Sequence, residues 1–234
     1  MSPEEYRRAE RRLARRDPVL RALIRAHGPC GLARSQREDP FVAMLEAIVW
    51  QQLSTRAAAT IYSRVLAVLP NGGRPTPETI AAADPADLRA AGLSRAKVIY
   101  IQDLALKVRD RVVHLDRLHV LDDDAVVEEL TRVKGIGRWT AEMFLMFRLH
   151  RPDVLPVGDV GIVNAIQRAY RLRRSPTPAR MTRIAEPWRP YRSVACWYLW
   201  QSLDAAPIQP NFSKAATSKR PANRVIPSRL ERTR

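Results

Sequence analysis

The sequence predicts an all-α fold, and three observations carry that prediction. Apolar residues recur at helical spacing along nearly the whole chain, the periodic segments are bounded by helix-capping residues, and no convincing strand pattern appears. The clearest element is Asp39-Pro40-Phe41 through Gln52. Phe41, Met44, Leu45, Ile48 and Val49 fall at i, i+3, i+4, i+7 and i+8 and so share one face, while Asp39 serves as N-cap and Pro40 suits the first helical position. The same signals place helices near 18–27, 54–69, 85–91, 94–111, 122–132, 138–149, 160–171, 178–186 and 190–204, each bounded by Pro, Gly or an Asp or Ser cap.

A chain of 234 residues is long enough to bury a sizeable core, in one large domain or two small ones packed together. Its mean hydropathy of -0.30 is that of a soluble protein. No apolar run approaches the ~20 residues that span a bilayer, which excludes a membrane protein. The start, Met1-Ser2-Pro3-Glu4-Glu5-Tyr6-Arg7-Arg8, carries two early acids and no apolar stretch behind them, unlike a secretory signal or an acid-poor transit peptide; a cytoplasmic location is expected. Two cysteines, Cys30 and Cys196, are too few for a four-thiolate iron–sulfur cluster or a secreted disulfide framework. The four histidines, His27, His114, His119 and His150, show no paired spacing, and no Cys-x-x-Cys occurs, so no side-chain zinc site is expected.

The net charge of +16 points to a polyanionic partner, because each Lys or Arg that meets a phosphate releases condensed counterions. Compositional bias in an Ala- and Arg-rich chain gives the same number, so charge alone does not identify nucleic acid. The stretch 205–234 differs from the rest, with Pro207, Pro210, Pro221 and Pro227, seven Lys or Arg and little apolar periodicity; it reads as a disordered basic tail. Such a tail adds nonspecific DNA affinity or is an inert solvated segment.

The most informative segment is Leu130-Thr131-Arg132-Val133-Lys134-Gly135-Ile136-Gly137-Arg138-Trp139-Thr140-Ala141, between two predicted helices. Two glycines around one apolar residue make a tight turn whose backbone approaches a ligand closely, with Ile136 plugging the turn into the core. The unpaired N–H groups of the next helix, with those of Gly135 and Gly137, form an anion site suited to a phosphate, although an ordinary αα-hairpin turn has the same outline. Twenty positions after Trp139, in Pro156-Val157-Gly158-Asp159-Val160-Gly161-Ile162, Asp159 directly precedes a helical pattern, where an N-cap and a catalytic carboxylate are both open readings.

Together these segments resemble a known family. Lys134-Gly135-Ile136-Gly137-Arg138-Trp139-Thr140-Ala141-Glu142 followed by Leu155-Pro156-Val157-Gly158-Asp159 is similar to the helix-hairpin-helix and invariant aspartate of the base-excision DNA glycosylases, in the 3-methyladenine DNA glycosylase II branch. Ile48-Val49-Trp50-Gln51-Gln52-Leu53-Ser54, Gly92-Leu93-Ser94-Arg95-Ala96-Lys97 and Trp188-Arg189-Pro190-Tyr191-Arg192-Ser193-Val194-Ala195 extend the likeness, which covers roughly 18–204. The resemblance implies two helical subdomains with an active cleft between them. One, approximately 1–38 plus 160–204, joins the N-terminal segment to the helices after Asp159; the other, approximately 39–159, carries the hairpin.

The resemblance also implies site residues. Asp159 is the catalytic carboxylate, and Trp139 and Trp200 align with aromatics of the flipped-base pocket, whose π-faces favour electron-poor, cationic bases. Trp188, Tyr191, Trp197 and Tyr198 are expected in the core. Gln52, or Leu53 beside it, fills the space a flipped nucleotide leaves. Lys134, Gly135, Gly137 and Thr140 meet the DNA backbone, Lys134 standing where many relatives have Pro. The main-chain carbonyls of Thr131, Val133 and Ile136 hold a monovalent cation in the family. Bifunctional relatives have at position 139 a lysine that forms a Schiff base with the sugar; tryptophan has no amine, so no lyase activity is expected.

The chemistry expected is hydrolysis of the N-glycosidic bond of an alkylated base in double-stranded DNA after base flipping, leaving an abasic site. Cleavage builds positive charge on the sugar, so one buried carboxylate stabilises the oxocarbenium-like transition state and orients or deprotonates water. N3- or N7-alkylated purines are cationic and leave without a general acid, in keeping with the absence of a second obvious acid in the sequence. No cofactor is required, and a monomer is the default. The rival readings are a noncatalytic helix-hairpin-helix protein that binds or senses damaged DNA, and a glycosylase for deaminated or mismatched bases.

Overall fold

A computed structural model describes residues 1–34 and 39–203; the predicted tail over 205–234 lies outside them. The described residues form thirteen α-helices and contain no strand. In chain order these are α1 (Pro3–Arg16), α2 (Pro18–His27), α3 (Pro40–Trp50), α4 (Thr55–Val68), α5 (Pro70–Gly73), α6 (Pro77–Ala82) and α7 (Pro85–Ala90). They continue as α8 (Arg95–Arg109), α9 (Asp123–Thr131), α10 (Arg138–Phe147), α11 (Val160–Ala169), α12 (Pro178–Ala185) and α13 (Arg192–Gln201). Seven of them begin on proline, whose fixed φ suits the first helical turn and whose missing N–H has no intrahelical partner there anyway.

The helices sort into two packed groups. α1, α2 and α13 contact one another, and α11 packs on α13. The other group is built on α8, which packs against α3, α6 and α7, with α3 also on α4 and α9 on α10. Three helices are apolar nearly all round: α3 buries Phe41 and Ala43 to Trp50, α10 buries Thr140 to Phe147, and α13 buries Ser193 to Trp200. Amphipathic helices surround them, as the all-round burial of the central three requires. Each fully buried Leu, Ile or Phe side chain stabilises the fold by about 1.5–3 kcal/mol relative to exposure.

Asp17 fastens the terminal group. Its Oδ1 caps α2 by accepting from Val19 and Leu20 amides at 2.8 and 3.2 Å, while Oδ2 accepts from the Tyr170 hydroxyl at 2.6 Å and the Trp188 indole N–H at 2.9 Å. One buried carboxylate thus joins positions 17, 170 and 188.

Two sequence expectations are corrected. The helix expected through Gln52 ends at Trp50, where residues 51–53 turn and Gln52 adopts φ +56°. Pro3–Arg16, not expected as a helix, is one: Ser2 and Glu5 form a reciprocal capping box, and Tyr6, Ala9 and Leu13 bury a narrow stripe under six arginines. That stripe is too thin to show as periodicity in so charged a segment.

Candidate active site

Asp159 is the N-cap of α11, and its carboxylate is gripped by three N–H donors. Oδ1 accepts from the Ile162 amide at 2.7 Å and from the Trp200 indole at 3.0 Å; Oδ2 accepts from the Trp139 indole at 2.7 Å. The N-terminal end of the α11 dipole also favours negative charge at this position. The cap and the candidate catalytic group, open alternatives in the sequence, are therefore the same side chain in one geometry. Gly161, one turn-position into α11, makes room for the arrangement: a Cβ there would lie 2.9 Å from Asp159 Oδ1 and 3.1 Å from Trp200 Nε1.

The two tryptophans differ. Trp200 is 3% exposed and stacks on Phe147 with ring centroids 5.9 Å apart, so it presents its N–H edge to Asp159 rather than an open face. Trp139 is 40% exposed and Val160, adjoining Asp159 in the chain, is 71% exposed. Both are apolar side chains open to solvent, Trp139 bonded to Asp159 and Val160 next to it in the chain. Trp188, Trp197 and Tyr198 lie in the core, and Tyr191 is half-buried.

A second acid is present that sequence reasoning did not single out. Glu142 on α10 is buried, pairs with Arg138 at 3.6 Å, and has its pKa raised, first by burial and also by the nearby Asp159 charge, against the lowering effect of Arg138. It belongs to the same electrostatic neighbourhood as Asp159.

The hairpin joins α9 to α10. Val133 accepts the Ile136 amide at 3.1 Å, Val133 and Ile136 are buried, and Gly135 takes φ +78°. Gly135 has no alternative: a Cβ there would overlap the ring of Tyr100. Gly137 caps α10 without any side-chain hydrogen bond, and a Cβ at Gly137 would meet nothing within 4 Å. The first amides of α10 therefore open toward a solvent-facing surface, the arrangement that accepts an anion. Lys134 is exposed beside them, whereas the Thr140 side chain is buried.

Gln52 and Leu53 lie on the turn after α3. Gln52 is exposed, and Leu53 is half-buried against the core. The neighbouring Gln51 donates from Nε2 to the Gly135 carbonyl at 3.0 Å, linking this turn to the hairpin across 84 residues.

The stretch 188–195 and the lysine of 92–97, both noted in the sequence, also find structural roles. Arg189 and Arg192 bind Asp153 at 2.7 and 2.8 Å, and Ser193 Oγ donates to the Arg151 carbonyl and accepts the Val154 amide. These bonds pin the 151–154 segment that leads to Asp159 onto α13, which itself supplies Trp200. Lys97 donates to the carbonyls of Val49 and Gln51 at 2.6 and 2.7 Å. Such partners lie 36 to 48 residues apart in sequence, beyond any local signal.

Over residues 45–190 the chain matches the family described as HhH-GPD superfamily base excision DNA repair protein. It is 33% identical over 209 residues to DNA-3-methyladenine glycosylase 1 of Schizosaccharomyces pombe, spanning 87% of this chain and 92% of that one. It is also 33% identical to DNA-3-methyladenine glycosylase 2 of Escherichia coli over 69% of this chain and 57% of that protein. Among solved structures, the S. pombe 3-methyladenine DNA glycosylase in complex with abasic DNA is similar with a TM-score of 0.74 and 34% identity, covering 83% of this chain and 96% of that one. With the hairpin, the capped aspartate and these likenesses in place, the chain belongs to the HhH-GPD superfamily of base excision DNA repair proteins, in the branch of the 3-methyladenine DNA glycosylases.

Proposed function

We propose that the protein is a monofunctional DNA glycosylase that releases alkylated bases of the 3-methyladenine type from double-stranded DNA and leaves an abasic site. The observation that carries this is the Asp159 carboxylate, held by three N–H donors at the head of α11 beside the partly exposed Trp139. A carboxylate fixed in this way needs no reorganisation as positive charge develops at C1′, which is the condition for electrostatic stabilisation of an oxocarbenium-like transition state. Its remaining lone pairs orient the water that attacks the sugar. A flipped, cationic purine lies against Trp139, where stacking and cation–π attraction favour it over a neutral base. Beside the pocket role the resemblance implies, Trp200, buried against Phe147, holds Asp159 in place.

The DNA backbone runs over the hairpin, with Gly135, Gly137 and the amide of Thr140 at a phosphate and Lys134 adding positive charge. The carbonyls of Thr131, Val133 and Ile136 form a neutral, hard donor set that suits a monovalent cation, and the charge such an ion brings would attract the same phosphate. Gln52, with Leu53 behind it, occupies the gap left in the duplex. Trp139 offers no amine for Schiff-base chemistry, so the reaction ends at hydrolysis. We read the protein as a cytoplasmic monomer acting on DNA; among the described residues no helix is long and apolar enough to cross a membrane.

The test is release of methylpurines from methylated duplex DNA, analysed by chromatography, for the wild type and Asp159→Asn. The wild type should release them, and the variant should bind the same DNA while releasing at least about 100-fold more slowly. Binding without release by the wild type would leave the noncatalytic reading standing. Borohydride trapping should yield no protein–DNA adduct, and an adduct would overturn the monofunctional assignment.

A further inference from the structure

Helix α8 carries four side chains in a stripe, Lys97, Tyr100, Asp103 and Lys107, and each reaches one of the two loops assigned to DNA. Lys97 Nζ bonds the carbonyls of Val49 and Gln51, at the end of α3. Tyr100 lies against Gly135. Asp103 Oδ2 accepts the Lys134 amide at 2.8 Å and the Lys107 ammonium at 2.8 Å, and Lys107 also donates to the Arg132 carbonyl at 2.5 Å. Spacings of three, three and four residues put these groups on one helical face. The face is a common mount for the hairpin and for the turn that bears Gln52.

The turn itself is conformationally costly. Leu53 N–H bonds the Trp50 carbonyl at 3.2 Å, Gln51 has φ -50° and ψ 128°, and Gln52 has φ +56°. These are the dihedrals of a type II turn, whose third position is ordinarily glycine. Types I and II differ in the direction of the central peptide, here the one whose oxygen is the Gln51 carbonyl. Lys97 bonds that oxygen. The ammonium is also half-buried, with its pKa lowered by desolvation, so it is committed to these carbonyls rather than to water.

We infer that Lys97 is a positioning residue: by holding the Gln51 carbonyl it keeps Gln52 in the left-handed conformation that presents its side chain to the DNA, in fixed register with the hairpin through Gln51 Nε2 and Gly135. The purpose of the clamp rests on the reading of Gln52 as the residue that enters the duplex; the clamp itself does not. Without Lys97, the turn relaxes toward right-handed φ at Gln52.

Two measurements on the full chain separate these points, using Lys97→Met, Lys97→Arg, Gln52→Ala and Lys97→Met/Gln52→Ala. The first is the Cα and Cβ NMR shifts of Gln52 in the two Lys97 variants. A move from left-handed to right-handed values in Lys97→Met, with a smaller move in Lys97→Arg, is expected; unchanged shifts overturn the clamp. If Lys97→Met does not fold, the Lys97→Arg shifts decide alone. The second is single-turnover release of 7-methylguanine, with affinity for undamaged duplex as the control. Lys97→Met should slow release about tenfold, the factor by which a non-glycine residue disfavours the left-handed region, with undamaged-duplex affinity held within twofold. In the Gln52→Ala background the same change should have less than a twofold effect. An equal slowing in both backgrounds overturns action through Gln52. If Gln52→Ala alone releases base at the wild-type rate while the shifts still move, the reading of Gln52 fails and the clamp stands.

Discussion

Replacing Gly161 by alanine should separate activity from stability in this protein. Gly161 sits in the first turn of α11 at an ordinary helical φ, so alanine adds no backbone strain there, and in a helix it is favoured over glycine by up to about 1 kcal/mol. The added methyl, however, would enter the space between the two groups that define the site, at 2.9 Å from Asp159 Oδ1, 3.1 Å from Trp200 Nε1 and 3.2 Å from Trp200 Cδ1. Both must give way. The bond between them, 3.0 Å long, is a hydrogen bond to a charged acceptor, of the kind worth about 1.5–3 kcal/mol. Its loss corresponds to a slowing of about 10- to 100-fold, and a carboxylate displaced by even a few tenths of an ångström moves the rate the same way. Single-turnover release of 7-methylguanine under saturating enzyme, beside thermal denaturation, is the assay. Gly161→Ala should lose 10-fold or more in rate, while the alanine preference offsets part of the lost hydrogen bond and the net loss of about 0.5–2 kcal/mol lowers the Tm by only about 1–8 °C. A rate within twofold of wild type would show that the Trp200–Asp159 contact does not position the carboxylate for catalysis.

Two further predictions concern the groups around that site. Gly135→Ala should lower the Tm by about 4–8 °C, because a left-handed φ and overlap with the Tyr100 ring together cost about 2 kcal/mol or more, and it should weaken binding to undamaged duplex as well; unchanged affinity would separate Gly135 from the phosphate. Glu142 has a pKa raised by burial, so its ionised form is penalised in the folded state at pH values above that pKa, and the penalty disappears as pH falls below the unfolded value near 4.5. Glu142→Gln should therefore have a Tm at or above wild type at pH 7, with the difference closing toward pH 4; a variant markedly less stable than wild type at pH 7 would mean that the Arg138 pair outweighs the burial.

What the sequence disclosed follows the range of the interactions involved. The Asp39-Pro40 start, the Gly135-Ile136-Gly137 turn and the Asp159 cap are local, and each was legible because capping and turn chemistry act within four residues. Pro3–Arg16 escaped notice even though its Ser2–Glu5 capping box is local, because three buried residues among eleven others give little periodic contrast. The end of α3 at Trp50 was hidden for another reason: nothing in Gln51-Gln52 breaks a helix by propensity, and the Gln51 carbonyl at the break is held by Lys97, 46 residues away. Likewise the tryptophan pair was visible as residue types, but whether each shows a face or an N–H edge is fixed by Phe147 and Asp159, through tertiary contact.

The fastening at Asp17 bears on the order in which the working enzyme comes into being. A carboxylate near the start of the chain finds its partners at Tyr170 and Trp188, and the Tyr198 hydroxyl likewise lies within hydrogen-bond distance of the Glu10 carboxylate and the Gly28 carbonyl. During synthesis the helices between Pro40 and Phe147 have their neighbours available early, whereas α1 and α2 wait for the segment beyond residue 170 to emerge. Trp200 arrives last of the three groups that meet at Asp159. A nascent chain therefore completes its Gly135–Gly137 hairpin before the Asp159 carboxylate has all three of its N–H donors, and that arrangement is finished only with the closing of the two chain ends upon each other.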